Sequence, residues 1–335
     1  MSTMRAVRAH TRGGAGQLRL DQAPRPEPRV GEALIRVHAA GITAAELGWD
    51  ETWVDGNGHD RTPTIPSHEF SGVVEALGHG VTHVAVGEDV YGMVPFDRDG
   101  AAAEYVAVRA RDLAPKPASL DHLHTAALPM SALTAWQAFT EQAHVKRGDH
   151  VLVHGGAGGI GVFAVQIAKV LGARVSATAS VGDIDYVRSL GADLVVDYRA
   201  TPFEQVVRDV DVVLDHLGGK IAEASITVLK DGGSLISLAA PPEVALPEGR
   251  GLRARFFIVE PDRAELTELA RLVDDGKLRV EVAEVFPLEA AAEAYGYGHR
   301  RGKVVLQPTQ AAVGRPSASS PPTARRDVEP KGARA

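Results

Sequence analysis

A glycine-rich turn near the middle of the chain has the spacing of a phosphate-binding loop. A strand-like run, DHVLVHG, leads into it, and a segment with helical apolar periodicity follows directly. In a strand–turn–helix of this kind, glycines permit a tight turn and a close approach of ligand, and the helix start offers unpaired N–H groups to an anion. The spacing predicts a dinucleotide site formed by Gly156, Gly158, Gly159, Ile160 and Gly161.

A second chemical feature should follow about 20 residues later, where NAD sites carry an Asp or Glu for the ribose 2′-hydroxyl. The strand-like run ARVSATAS ends there on Ser180, which is not an acid. Ser180 can donate a hydrogen bond to a 2′-phosphate, and Tyr198 ends the next strand-like run. These residues favour NADPH. Asp183, on the turn after Ser180, opposes that interpretation, so NADH stays open.

Composition excludes several other kinds of chemistry. The chain has no cysteine, which rules out disulfides, thiol nucleophiles and cysteine-based metal sites. A net charge of −7 is unfavourable for binding nucleic acid. No uncharged apolar run reaches the 18 residues of a membrane span, and the amino terminus lacks the apolar core of a secretory signal. We therefore expect a cytoplasmic protein that contacts neither membrane nor nucleic acid.

The elements around the glycine turn predict an α/β fold with two domains. Up to residue 125, short β-like runs are separated by Gly- and Pro-rich turns, which is typical of a barrel or sandwich. From 126 to 276, Val- and Leu-rich strands alternate with helices, as in a doubly wound (Rossmann) parallel sheet. The runs after 277 should return to the first domain, up to 308. The basic, Pro- and Ser-rich stretch 309–335 predicts a disordered tail.

Some elements are predicted individually. We expect one helix over HTAALPMSALTAWQAFTEQA and further helices in FEQVVRDV and ASITVLKDG. The run RARFFIV is expected to be a sixth strand of the parallel sheet.

Several longer stretches extend these observations over most of the chain. In order, they are IPSHEFSGVVEALG, HTAALPMSALTAWQAF, VHGGAGGIGVFAVQIAKVLGARV, LGADLVVDY, DVVLDHLGG, DGGSLISL and GKVVL. The similarity that includes them extends from Met4 to about Gln307. The chain resembles, over that length, the zinc-independent quinone oxidoreductase branch of the medium-chain dehydrogenases/reductases. The resemblance implies a GroES-like β-rich substrate domain beside the Rossmann domain, and a homodimer.

The activity that this resemblance implies is hydride transfer from NADPH to a small molecule, either a quinone or an electron-poor C=C of a conjugated carbonyl. Thr43 and Thr134 would approach the nicotinamide, in a positioning role that leaves the proton donor unassigned. Further cofactor positions are implied at the ends of strands and near the last strand: Asp215, His216, Leu238, Ala239, Ala240 and Lys303.

Zinc-dependent relatives provide a contrast. Their G-H-E motif supplies a histidine ligand, with cysteines before and after it, whereas this chain has Ser67-His68-Glu69 and Thr43 at the upstream cysteine position. A catalytic zinc ion normally needs three protein ligands. The resemblance therefore implies an enzyme without zinc, in which His68 is a structural or pocket residue.

Two departures from the family pattern keep other functions open. Thr43 replaces a usual asparagine, and TWVDGNGHD replaces a segment that usually brings a tyrosine to the pocket. Trp49, Trp53 or His59 either line the pocket instead or belong to a surface loop. The alternatives are an enoyl reductase of a biosynthetic pathway and a non-catalytic NADPH-binding protein with a structural or sensory role.

Overall fold

A computed structural model describes residues 2–298 and 301–308. The predicted disordered tail, 309–335, lies outside these residues. The amino-terminal strands are β1 (Thr3–Ala9), β2 (Leu18–Pro24), β3 (Glu32–Ile42), β4 (Glu69–Leu77), β5 (Asp89–Met93), β6 (Tyr105–Arg109) and β7 (Leu113–Pro115). Strands β1 and β2 pair with each other, while β3, β4, β5 and β7 form consecutive antiparallel pairs of a larger sheet and β6 also pairs with β3.

Helices and strands then alternate. They are α1 (His122–Ala126), α2 (Pro129–Gln137), β8 (His150–Val153), α3 (Gly159–Val170), β9 (Arg174–Ala179), α4 (Ile184–Ser189), β10 (Leu194–Asp197), β11 (Val210–Asp215), α5 (Gly219–Val228), β12 (Leu229–Ser237), β13 (Arg253–Phe256) and α6 (Arg263–Asp274). The strands pair in parallel in the order β10-β9-β8-β11-β12-β13. This is the doubly wound order, and its switch point between β8 and β11 is where such folds bind ligands.

The chain then returns to the first sheet through β14 (Val282–Pro287), α7 (Ala291–Gly296) and β15 (Lys303–Gln307). Strand β15 pairs antiparallel with β3, and β14 pairs parallel with β15. The predicted fold class, a Rossmann sheet with a β-rich GroES-like domain, is confirmed. The domain boundaries at 125, 276 and 308 stay predictions. No helix among the described residues is both long and apolar enough to cross a membrane.

Burial explains why α3 forms directly after the glycine turn. Its side chains are apolar on almost every face, and Val162, Phe163, Val165 and Ile167 are at most 2% exposed. A helix that is apolar all round must be covered on several sides. Helix α2 and strands β8 and β9 supply part of that cover, which anchors the start of α3 at the carboxyl end of β8.

Three predicted helices differ from the observed elements. The long first helix is divided, because Pro129 begins a new helix at the position where its missing N–H costs nothing, and a π-helical turn follows α2. Helix α5 ends at Val228, and the residues after it form a strand in which Gly232 has φ +78°. The run FEQVVRDV forms a single 3-10 turn, Phe203–Gln205, since Val206 leaves the helical region.

Candidate active site

The glycine turn packs too tightly for side chains at some of its positions. A Cβ atom added to Gly161 would lie 2.1 Å from the carbonyl oxygen of Gly155, and one added to Gly156 would lie 2.9 Å from Val187 Cγ1. Gly158 is the N-cap of α3, and no described side chain caps that helix. The first N–H groups of α3 are therefore oriented toward whatever occupies the space in front of the turn.

That space is a cavity of about 610 Å³ between the glycine turn and the β-rich domain. Most of the residues predicted for the cofactor and substrate line it: Thr43, Thr134, Gly158, Gly159, Ile160, His216, Leu238, Ala239, Ala240 and Lys303. Apolar side chains, including Trp49, Phe96 and Phe257, form much of the remaining wall. The cavity therefore combines an anion-binding helix start with an apolar chamber.

Other predicted residues do not line this cavity. Gly156 and Gly161 pack inside the turn, as described above. The carboxylate of Asp215 is buried and accepts backbone hydrogen bonds from Leu217, at 2.9 Å, and from Gly218. Asp215 thus holds the loop after β11 in place, and its neighbour His216 faces the cavity. The structure gives Asp215 a role in shaping the wall rather than in direct contact.

At the end of β9, the residues predicted for the 2′-phosphate meet a basic side chain that sequence reasoning missed. Ser180 Oγ donates to Asp183 Oδ2 at 2.6 Å, and Arg301 Nε lies 2.6 Å from Asp183 Oδ1. The Arg301 guanidinium also lies 4.9 Å above the ring of Tyr186. Tyr198 is 53% exposed. The signal was the basic run HRRGK before β15, but only the fold brings it to β9.

Lys303 forms a buried ion pair on the cavity floor. Its Nζ atom lies 2.6 Å from Glu69 Oε1 and donates to Thr43 Oγ1 at 2.9 Å. Lys303 is 6% exposed and Glu69 is fully buried. A Cβ added to Gly159 would lie 3.2 Å from Lys303 Cδ, so the lysine stem runs along the start of α3. One ammonium thus lies between the glycine turn and Thr43.

A second buried carboxyl group lies near this pair. Glu46 accepts hydrogen bonds from the Tyr295 hydroxyl at 2.6 Å and from the Ser67 N–H at 3.1 Å. Burial raises the pKa of Glu46 to about 7, although the Tyr295 hydrogen bond and the charge of Lys303 act in the opposite direction. Burial also lowers the pKa of His68 to about 3, so His68 is neutral near pH 7.

These residues do not fit a catalytic zinc ion. The ring nitrogens of His68 are buried and make no hydrogen bond within the described residues, and its Nε2 lies 3.7 Å from Glu46 Oε2. No three His, Cys, Asp or Glu side chains of residues 2–298 and 301–308 are arranged to hold a metal ion. The carboxylate of Glu69 is already paired with an ammonium, which would repel a second cation. Zinc independence stays a prediction that this donor set favours.

Trp49, Trp53 and His59, the three residues predicted either to line the pocket or to belong to a surface loop, occupy different environments in the structure. Trp49 lines the cavity, with its ring centroid 5.2 Å from that of Phe96. Trp53 is buried in the β-rich domain and donates its indole N–H to the Leu47 carbonyl. His59 has a 77% exposed side chain beside Asp55. Only Trp49 of these three faces the cavity.

A doubly wound sheet whose glycine turn opens on an apolar cavity beside a GroES-like domain is the arrangement of a nicotinamide-dependent oxidoreductase. Residues 29–118 match the family model of the alcohol dehydrogenase GroES-like domain, and residues 190–306 match that of the zinc-binding dehydrogenases. The chain belongs to the medium-chain dehydrogenase/reductase superfamily.

Individual relatives agree with this membership. A probable zinc-binding mitochondrial oxidoreductase of Arthroderma benhamiae is 35% identical, over 88% of this chain and 94% of its own length. The NADPH-dependent alkenal/one oxidoreductase of Arabidopsis chloroplasts is 32% identical, over 88% of this chain and 77% of its own. The structure of the Coxiella burnetii quinone oxidoreductase superposes with a TM-score of 0.80 at 32% identity, covering 92% of this chain and 100% of that one.

Proposed function

We propose that this oxidoreductase uses NADPH to reduce a quinone or an electron-poor C=C conjugated to a carbonyl. The observation that carries the proposal is the cavity itself, which joins the start of α3 to an apolar chamber with a buried ammonium. Without a Lewis-acid metal, a simple alcohol could not be polarised in the manner of the zinc enzymes. A conjugated acceptor spreads its charge onto an oxygen that hydrogen bonds can stabilise.

Different residues around the cavity would bind the different parts of the cofactor and the acceptor. The N–H groups at Gly158 to Gly161 would hold the pyrophosphate of the cofactor, and Leu238, Ala239 and Thr134 would border the nicotinamide. When bound, the nicotinamide supplies the hydride. Trp49 and Phe96 bound the acceptor chamber and exclude water from it, which favours charge stabilisation by the few polar groups present.

The preference for NADPH is supported by the residues at the end of β9. The Ser180 hydroxyl, which donates to Asp183 in this structure, could turn to a 2′-phosphate, and Arg301 adds a positive charge beside Asp183. An uncompensated Asp183 would repel a 2′-phosphate, whereas the Arg301–Asp183 pair leaves the site close to neutral. The relative from Arabidopsis is named as NADPH-dependent. The homodimer, the cytoplasmic location and the absence of nucleic-acid binding stay predictions.

The test begins with thermal shifts of the purified protein in NADPH and in NADH, which rank the two cofactors. NADPH oxidation is then followed with 1,4-benzoquinone and 3-buten-2-one as acceptors. We expect a larger shift with NADPH and turnover of at least one acceptor class. A larger shift with NADH would refute the cofactor assignment, and tight NADPH binding without turnover across a panel of quinones and enones would favour the non-catalytic alternative.

A further inference from the structure

We propose that the Thr43 hydroxyl is the proton donor to the acceptor oxygen, and that Lys303 polarises Thr43 and resupplies the proton. This inference rests on the proposed function, because it concerns the same cavity. It assigns chemistry to Thr43, a residue that sequence reasoning regarded as positioning only.

The first observation is the direction of the hydrogen bonds at Thr43. Its Oγ1 accepts from the Lys303 ammonium at 2.9 Å, so its own proton must point elsewhere. That proton is donated to Met130 Sδ at 3.4 Å. A thioether sulfur is a weak acceptor, so little is lost when an oxygen with negative charge takes its place. The hydroxyl is therefore held as a donor with a replaceable partner.

The second observation is that Lys303 has a carboxylate as its ion-pair partner. Glu69 lies 2.6 Å from its Nζ, and Glu69 is in turn held by the Met130 N–H at 3.0 Å. An ammonium bonded to Oγ1 withdraws electron density and makes the Thr43 hydroxyl a stronger donor.

Thr134 and His216, two other polar residues on the cavity wall, are less suited to donate the proton. The Thr134 hydroxyl donates to the Met130 backbone carbonyl at 2.7 Å, which is a strong acceptor that would have to be given up. The His216 ring lies against the glycine turn, where a Cβ on Gly155 would be 2.7 Å from its Cε1. Thr43 combines exposure to the cavity with a cationic neighbour.

Reduction of a conjugated carbonyl adds one hydride and one proton. Hydride adds to the β-carbon, the C=C electron pair shifts, and the carbonyl oxygen becomes an enolate oxygen. Thr43 Oγ1 gives its proton to that oxygen and receives one from Lys303 Nζ. The product leaves as the enol, which tautomerises to the saturated carbonyl, and Lys303 is reprotonated by a hydronium ion or buffer acid of the solution, so that one hydride and one proton are added in total.

The kinetic test compares Thr43→Val, which keeps the shape but removes the hydroxyl, with Thr43→Ser, which keeps the hydroxyl. With 3-buten-2-one as acceptor, Thr43→Val should lower kcat about 100-fold, within the range of general acid catalysis, and Thr43→Ser should recover most of it. The Kd of NADPH, measured by fluorescence, should change less than about twofold. Lys303→Met should lower kcat in parallel, and Lys303→Arg should recover part of the loss.

A binding test separates this inference from the proposed function. 4-Nitrophenol, whose ionised form has a distinct absorption spectrum, is titrated into the enzyme loaded with NADP+. The wild-type protein should bind the phenolate, and Thr43→Val should bind it about tenfold more weakly, as expected for one hydrogen bond to a charged group.

The outcomes are distinguishable. Phenolate binding that depends on Thr43, without turnover of any acceptor, would refute the proposed function but support the donor assignment. Turnover that Thr43→Val leaves unchanged would overturn the donor assignment alone. A wild-type protein that binds no phenolate would also overturn it, because the donor pair would then not stabilise an oxyanion.

Discussion

The contact between Arg301 and Asp183 gives the most specific prediction about cofactor choice. Asp183 is the acid that sequence reasoning counted against NADPH, and Arg301 approaches it from the segment just before β15. We expect Arg301→Gln to weaken NADPH binding and to leave NADH binding almost unchanged. Two causes contribute, since the variant removes a positive charge and takes an ion-pair partner away from Asp183.

The size of the effect follows from exposure. A hydrogen bond to a charged group contributes about 1.5 to 3 kcal/mol when well buried. The Arg301 side chain is 46% exposed and Asp183 is 19% exposed, so solvent screening reduces this to about 1 kcal/mol. The Kd of NADPH should therefore rise about fivefold. Asp183→Asn should have the opposite sign and tighten NADPH binding.

A double-mutant cycle separates the two causes. If Arg301 only compensates Asp183, then Arg301→Gln will have no effect in the Asp183→Asn background. If Arg301 contacts the phosphate, the loss will persist there. The Kd values for NADPH and NADH are measured by fluorescence titration at one fixed ionic strength. Equal loss of both cofactors, or no loss of NADPH affinity, would refute the reasoning.

Three further predictions concern the turn and the buried carboxyl group. Gly158→Asp should abolish NADPH binding in a fluorescence titration, because a carboxylate would face the pyrophosphate, and Gly158→Ala should lose much less; retained binding in the aspartate variant would contradict the site. Gly161→Ala should lower the melting temperature by several degrees, since its Cβ would lie 2.1 Å from a carbonyl oxygen, whereas Gly16→Ala, which meets nothing within 4 Å, should not. The pKa of Glu46 is raised to about 7 from 4.5, so between these pH values the folded state holds a proton that the unfolded chain releases. The contribution of Glu46 to the free energy of unfolding is therefore present below about pH 4.5 and is lost as the pH rises to about 7. Denaturant titrations at several pH values should show that Glu46→Gln removes this decline relative to wild type. An unchanged pH dependence would show that Glu46 is ionised throughout.

Local sequence was sufficient to predict structures that depend on contacts within one short segment of the chain. The glycine turn needs only its own residues and the next helix, so its spacing predicted both its structure and its ligand class. The alternation of apolar strands with helices along the chain likewise predicted the doubly wound sheet. The predicted helix in ASITVLKDG was wrong at its end: the helix stops at Val228, and the strand that follows contains Gly232 and Gly233, a residue type that helices tolerate poorly.

Contacts between distant segments were beyond that reasoning. Lys303 and Arg301 reach Glu69 and Asp183 across more than a hundred residues of chain. The sequence offered a basic run with no indication of its partners. Likewise, Trp49 and Trp53 are indistinguishable as letters, yet one lines the cavity and the other is buried.

The resemblance to known proteins indicated the superfamily. The amino-acid sequence by itself determined the doubly wound parallel type of the sheet, the glycine turn and the lack of a cysteine-based metal site. These depend on periodicity, residue type and short spacing, which local chain geometry converts directly into structure. Only the tertiary structure decided that an ammonium pairs with Glu69 and Thr43, and that Asp183 has a compensating arginine. Those pairings depend on the return of β15 to β3, because charges interact strongly only over a few ångströms, and the fold alone sets which charges come that close.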